Sequence, residues 1–121
     1  MAAGIYNFTI EQGTTFQRVF KYKDSNGNPI DLSEATALRM QIRESIDAGV
    51  VTGGEFTKDS GITISTPTGE TVANQFTLLI PSATTAAFNF TSAVYDIELV
   101  NQSITTRLLQ GKIKLSKEVT R

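Results

Sequence analysis

Apolar side chains in this chain recur at every second position through several short runs. Neighbouring side chains of a β-strand point to opposite faces, so this spacing gathers the apolar ones on one face of a strand. The clearest run is 38–42, where Leu38, Met40 and Ile42 alternate with two polar residues. The same alternation occurs in the runs 8–11, 62–64, 76–80, 95–99 and 109–115. In the run 16–22 it is interrupted by Arg18, which indicates a bulge or burial on both faces there. The chain is therefore predicted to fold from short β-strands.

Turn-forming residues separate these runs. The segment 24–29 contains Asn-Gly, the strongest short turn signal, and 67–70 and 101–103 have similar compositions. The last of these turns predicts a hairpin between the two final strands. Pro81 ends the run before it, and Ser82 is predicted to cap a short helix that continues to Phe88.

The segment from Ser45 to Gly61 has no clear apolar period and is rich in glycine. It is predicted to be a long, mobile connection and a candidate contact loop.

Seven or eight short strands with regular turns predict an all-β fold, because each sheet must cover its apolar face. A two-sheet antiparallel β-sandwich or an open barrel, with one short helical turn, satisfies this requirement. The length of 121 residues is that of one domain. We therefore expect a single domain over 1–121, with short N- and C-terminal arms at 1–4 and 117–121.

Composition excludes several kinds of chemistry. The chain has no histidine and no cysteine, so it has no Ser-His-Asp triad, no histidine-ligated zinc and no thiolate nucleophile. We expect no enzyme activity and no cofactor. Eleven basic and twelve acidic residues give a net charge of −1, and no apolar stretch approaches the length of a membrane helix. Neither nucleic acid nor a membrane is an expected partner. The start has no signal-peptide pattern, so synthesis in the cytoplasm is expected.

Charged residues on the polar faces of the predicted strands form the candidate site. Asp96 and Glu98 are two positions apart, so their carboxylates share the outer face of one strand. Arg39, Arg43 and Arg107 lie on other strands, from which they could pair with these carboxylates. We interpret the five as interaction residues. An acid–base or cation site at Asp96 and Glu98 is less favoured, because no third ligand accompanies them.

Several segments resemble small virion proteins of tailed bacteriophages. They read FTIEQGTTF at 8–16, DSNGNPIDL at 24–32, RMQIR at 39–43, YDIEL at 95–99 and TRLLQG at 106–111. They are similar to the immunoglobulin-like N-terminal domain of baseplate upper proteins and related tail components. The likeness covers most of the chain apart from 45–75. It implies an Ig-like β-sandwich and a place in the virion.

The resemblance leads to the expected function. The chain is expected to be a structural component of a tailed-phage virion, made in the host cytoplasm and present in several copies. It would act in the tail or baseplate as an adaptor that packs against other virion proteins, with no small-molecule substrate. The alternatives are a capsid decoration protein, or a module that binds a host receptor or carbohydrate through the 45–61 loop. A hydrolase that uses Asp96 and Glu98 is the least favoured class.

Overall fold

A computed structural model describes residues 4–24, 26–33 and 35–119. Within these ranges the chain forms nine strands and one short helix. The elements are β1 Gly4–Ile5, β2 Phe8–Glu11, β3 Phe16–Lys21, β4 Ala37–Arg43, β5 Val50–Lys58, β6 Gly61–Ser65, β7 Gln75–Ile80, α1 Ser82–Ala87, β8 Ser92–Asn101 and β9 Ile104–Ser116. Strands hold 57% of the residues and helix 5%, which confirms a mostly β fold with one short helical turn.

All nine strands belong to one hydrogen-bonded sheet, which curls into a half-barrel. Its order is β1-β9-β8-β4-β5-β6-β7-β3, and β2 also pairs with β9. The expected division into two separate sheets is not confirmed. The half of the sheet from β1 to β5 is joined to the half from β6 to β3 by a parallel pairing of β5 with β6. In this pairing Thr57 lies beside Gly61 and Lys58 beside Ile62. A tight turn at Asp59 and Gly61, both with positive φ, brings these two strands side by side.

The sheet is mixed, which corrects the prediction of a purely antiparallel fold. β1 and β2 both run parallel to β9, and β5 runs parallel to β6. The remaining strand pairs are antiparallel. β2 and β9 lie about a hundred residues apart in the chain, so no turn signal could indicate their pairing or its direction.

Aromatic side chains fill the space between the two ends of the curled sheet. Phe8 of β2 stacks on Phe16 of β3 with ring centroids 5.0 Å apart, and Tyr6 meets Phe20 edge-on at 5.5 Å. These residues join a core built from the inward faces of the strands. Its fully buried large side chains are Phe88, Phe90, Ile10, Leu32, Leu38, Met40, Ile42, Ile62, Leu78, Ile80, Ile97 and Ile113.

The predicted mobile connection at 45–61 is wrong over most of its length, because residues 50–58 form β5. Phe56 of this strand is buried opposite Met40, and Glu55 pairs with Gln41. The register then jumps so that Arg43 lies opposite Val50. Four residues, 51–54, therefore bulge out between these pairs, and Gly53 has a positive φ of 77°. This bulge breaks the two-residue apolar period and explains why the sequence pattern fades here.

Ser82 does not cap the helix as predicted. The N-cap residue of α1 is Pro81, and no side-chain hydrogen bond caps the helix. Thr85 instead attaches α1 to the rest of the fold. Its buried hydroxyl accepts a hydrogen bond from the Gly13 amide at 3.0 Å and lies 2.7 Å from the Thr14 carbonyl oxygen, to which it can donate.

The expected terminal arms lie partly outside the described residues, which exclude 1–3 and 120–121. Gly4 belongs to β1, and 117–119 follow β9 directly. Within this last segment the Glu118 amide donates a 3.1 Å hydrogen bond to the side chain of Gln12. Within the described ranges, no helix has the length and apolar character needed to cross a bilayer.

Gly111 permits the N-terminal segment, which runs alongside β9, to approach that strand closely. A Cβ atom at Gly111 would overlap the Tyr6 carbonyl oxygen and would lie 2.9 Å from Asn7 Oδ1. The Gly111→Ala substitution must therefore push the Tyr6–Asn7 backbone away from β9. We expect it to lower the free energy of unfolding, measured by urea denaturation, by about 1–3 kcal/mol.

Gly49→Ala is the matched control, because nothing lies within 4 Å of a Cβ atom there. It should change the free energy of unfolding by less than about 1 kcal/mol. Equal effects of the two substitutions would contradict the close approach at Gly111.

Candidate interaction surface

Eight charged or polar side chains and one valine form three rows across the outer face of β4, β8 and β9. Each row takes one residue from each strand, because the side chains that alternate with the buried ones point outward. The first row is Arg39, Glu98 and Arg107, in the order β4, β8, β9. Arg39 Nε lies 3.1 Å from Glu98 Oε1. Cross-strand pairing of arginine with carboxylate, as the sequence predicted, is present in this row.

A bulge in β9 places Arg107 on this face. Ile97 lies opposite Leu109, whereas the next residue of β8, Glu98, lies opposite Arg107. Leu108 is therefore the extra residue, and its side chain is buried. Without the bulge, Arg107 would share the inward face of Leu109 and Ile113. In the sequence, the bulge coincides with two adjacent leucines, Leu108 and Leu109.

The second row is Gln41, Asp96 and Gln110. Asp96 Oδ2 lies 3.4 Å from Arg107 Nε, so Arg107 pairs with the carboxylate of the neighbouring row. Partial burial, followed by repulsion from Glu98, raises the pKa of the Asp96 carboxyl, although Arg107, Arg39 and Arg43 act in the opposite direction.

The third row is Arg43, Val94 and Lys112. Arg43 is not ion-paired to Asp96 or Glu98. Its guanidinium donates hydrogen bonds to the Ala48 carbonyl oxygen and to Gln41 Oε1, the latter at 2.9 Å. The structure thus brings all five predicted residues to one face. It joins four of them in two ion pairs, whereas Arg43 lies in the third row, which has no carboxylate.

All residues of the three rows except Arg39 line an open groove of about 570 Å³, called the outer groove below. Its lining residues are Ile5, Asn7, Gln41, Arg43, Ile46, Val94, Tyr95, Asp96, Glu98, Arg107, Gln110, Gly111 and Lys112. Two of these lining residues are exposed isoleucines, Ile5 at 76% and Ile46 at 84% exposure. Ile5, Ile46 and Lys112 were not among the predicted site residues. Only the fold brings β1 and the β4–β5 turn, and with them the two isoleucines, to this face.

Tyr95 holds the backbone next to Ile5 in place at the edge of the outer groove. Its hydroxyl donates a 2.6 Å hydrogen bond to the Tyr6 carbonyl oxygen, and the Tyr6 amide donates to the Gln110 carbonyl oxygen at 2.9 Å. Burial, with a smaller contribution from Tyr6, raises the pKa of the Tyr95 hydroxyl. The hydroxyl thus remains a hydrogen-bond donor, as a tyrosine with an ordinary pKa would also be at neutral pH.

The surroundings of Asp96 and Glu98 are those of paired surface charges. Each carboxylate contacts an arginine, and the neighbours of Asp96 within its row are two glutamine side chains. Within residues 4–24, 26–33 and 35–119, no group of three or more His, Cys, Asp and Glu side chains is placed to hold a metal ion. The arrangement is suited to hydrogen bonding and ion pairing with another surface.

No protein-family model matches this chain, and no curated protein is significantly similar to it in sequence. The likeness to phage tail components noted above therefore stays a prediction.

The Arg39–Glu98 pair should contribute little to stability, because the two side chains are 49% and 27% exposed. A double-mutant cycle with Arg39→Gln and Glu98→Gln should give a coupling energy of about 0.2–1 kcal/mol. The coupling should fall in 1 M NaCl, where the Debye length is about 3 Å. Urea denaturation of the four proteins at two salt concentrations measures it. A coupling above about 2 kcal/mol that is insensitive to salt would contradict an exposed pair.

The raised pKa of Asp96 predicts a pH-dependent effect of Asp96→Asn. A raised pKa means that the folded chain binds this proton more tightly than the unfolded chain does. Protonated Asp96 therefore contributes stability, and this contribution is lost as the pH rises through the folded-state pKa. The variant should therefore have a higher free energy of unfolding than the native chain at pH 7. The difference should shrink on acidification, as native Asp96 gains its proton.

Urea denaturation of both proteins between pH 3 and pH 7 makes this comparison. Glu44→Gln removes one exposed negative charge from the adjoining turn and serves as the control. If Asp96→Asn were the less stable protein at pH 7, and the gap closed in acid, the ionised carboxylate would be stabilising and the assigned direction would be wrong.

Proposed function

We propose that this protein is a structural component of a tailed-phage virion that acts as a tail or baseplate adaptor and packs several copies against neighbouring subunits. The observation that carries the proposal is the outer groove. Its floor is hydrogen-bonded and charged, and two isoleucines that line it are exposed to solvent. Single exposed apolar residues are ordinary, but two of them on either side of an organised polar floor have the chemistry of an interface.

An immunoglobulin-like fold is part of this proposal, and the strand order supports it. β4, β8 and β9 are adjacent, as strands C, F and G are in an Ig domain. β6, β7 and β3 are adjacent, as strands D, E and B are. The two groups are connected through β5, whose pairing with β6 involves two residue pairs. The half-barrel is thus interpreted as an Ig-like sandwich whose sheets are joined at one edge.

Rigidity of the groove favours an adaptor over a receptor-binding loop. The receptor-binding alternative relied on a long mobile segment at 45–61, and residues 50–58 of that segment are a strand paired with β4. The floor of the groove consists of strand residues held by ladders on both sides of β8. A preformed surface of this kind loses little conformational entropy when a neighbouring subunit binds.

The location of the protein in the particle tests this proposal. Particles of the phage that encodes the chain would be purified, separated into heads and tails, and examined by quantitative mass spectrometry. We expect the chain in the tail fraction at several copies per particle. Its presence in the head fraction alone would instead support the capsid-decoration alternative, and its absence from both fractions would contradict a virion role.

A further inference from the structure

The third row of the outer groove has two positive charges and no negative charge between them. In the first row, Glu98 lies between Arg39 and Arg107 and pairs with Arg39. In the third row, the central position is Val94, with Arg43 on one side and Lys112 on the other. The third row therefore repeats the pattern of the first, but without its carboxylate.

Arg43 is held in place without being neutralised. Its two hydrogen-bond partners are the Ala48 carbonyl oxygen and Gln41 Oε1, and Gln41 in turn donates to Glu55 at 2.7 Å. Among the described residues, no carboxylate lies within ion-pairing distance of Arg43. Guanidinium groups present five donors, so Arg43 keeps donors for a further acceptor.

Lys112 supplies the second charge from β9. Its backbone amide donates a 2.9 Å hydrogen bond to Asn7 Oδ1, which fixes the strand at this point. The side chain is exposed, and it forms no ion pair with any described residue. Strands lie about 4.8 Å apart, so the backbones of Arg43 and Lys112 are about 10 Å apart across β8. Two long side chains can both reach one carboxylate over Val94.

We propose that the outer groove binds an extended segment of a neighbouring protein subunit and that an acidic side chain of this segment lies over Val94, between Arg43 and Lys112. The carboxylate supplies the missing central charge of the row. Apolar side chains two positions before and two positions after it are directed toward Ile46, in the β4–β5 turn, and toward Ile5, which lies beside Gln110 of the second row. The inference deepens the proposed function by defining the partner's chemistry, and it rests on that function only for the partner's place in the virion.

Strand geometry supports this recognition pattern. In an extended segment, side chains at alternate positions point to the same side and lie about 6.8 Å apart. An acidic residue with an apolar residue two positions away on each side thus presents three groups over about 14 Å. The two apolar contacts exclude water from the ion pairs, and ion pairs are stronger where water is excluded.

Two synthetic peptides test the proposal with the isolated protein. One is acetyl-Ser-Ile-Thr-Glu-Thr-Ile-Ser-amide, and the other has glutamine in place of glutamate. Each would be titrated into ¹⁵N-labelled protein at low salt and followed by NMR chemical shifts. We expect the glutamate peptide to shift the amides of Arg43, Val94 and Lys112. We expect it to bind about tenfold more tightly than the glutamine peptide, because the hydrogen bonds from Arg43 and Lys112 to its carboxylate are charge-assisted.

Lys112→Gln is the test variant, and Lys114→Gln is its matched control. Lys114 is an exposed lysine on the same strand, two residues further on, and is not part of the groove. Lys112→Gln should remove most of the preference for glutamate, whereas Lys114→Gln should leave it. An unchanged amide spectrum outside the groove shows that both variants are folded.

Several results would overturn the proposal. These are equal affinity for the two peptides, no shift at millimolar peptide, shifts centred away from the groove, or equal losses in the two variants. Sodium acetate that reproduces the glutamate shifts would also overturn it, because the site would then take small anions and not a peptide segment. A glutamate preference in a protein that is absent from particles would support the groove's chemistry while contradicting the virion role, so the two failures are distinguishable.

Discussion

The pairing of β8 with β4 on one side and β9 on the other determines both faces of the central sheet. Ile97 lies between Met40 and Leu109 on the inner face, and Asp96 lies between Gln41 and Gln110 on the outer face. Strand side chains alternate, so a slip of one residue would exchange the two faces and expose the core. The burial of Met40 and Ile97 thus selects the same register that aligns the charged rows. Stability and the candidate site depend on one set of backbone hydrogen bonds.

Local patterns predicted most of the strands correctly, for a physical reason. Leu38, Met40 and Ile42 are fully buried because they face a core that covers one side of their strand, and this one-sided burial produces the two-residue period. The hairpin of β8 and β9 was predicted because its turn at 101–103 is local, and Gln102 there has a positive φ of 57°. Features of this kind can be predicted because they depend only on residues that are close together in the sequence.

Features that depend on distant pairing or on bulges were beyond the sequence pattern. The parallel contact of β2 with β9 places Phe8 opposite Ile113, and no local signal encodes that match. The bulge at 51–54 concealed β5, and the bulge at Leu108 turned Arg107 from the inner to the outer face of β9. The charged residues of the candidate site could therefore be predicted from their residue type and their position in a strand. The outer groove could not, because Ile5 and Ile46 reach it through the fold alone.

The most direct test of this account is nuclear Overhauser spectroscopy of the labelled protein across the three central strands. The account predicts that the strongest cross-strand contacts of Asp96 are with Gln41 on one side and Gln110 on the other. Contacts displaced by one residue on either side, or β8 paired with only one neighbour, would contradict it, because the charged rows and the groove would then not exist on one face.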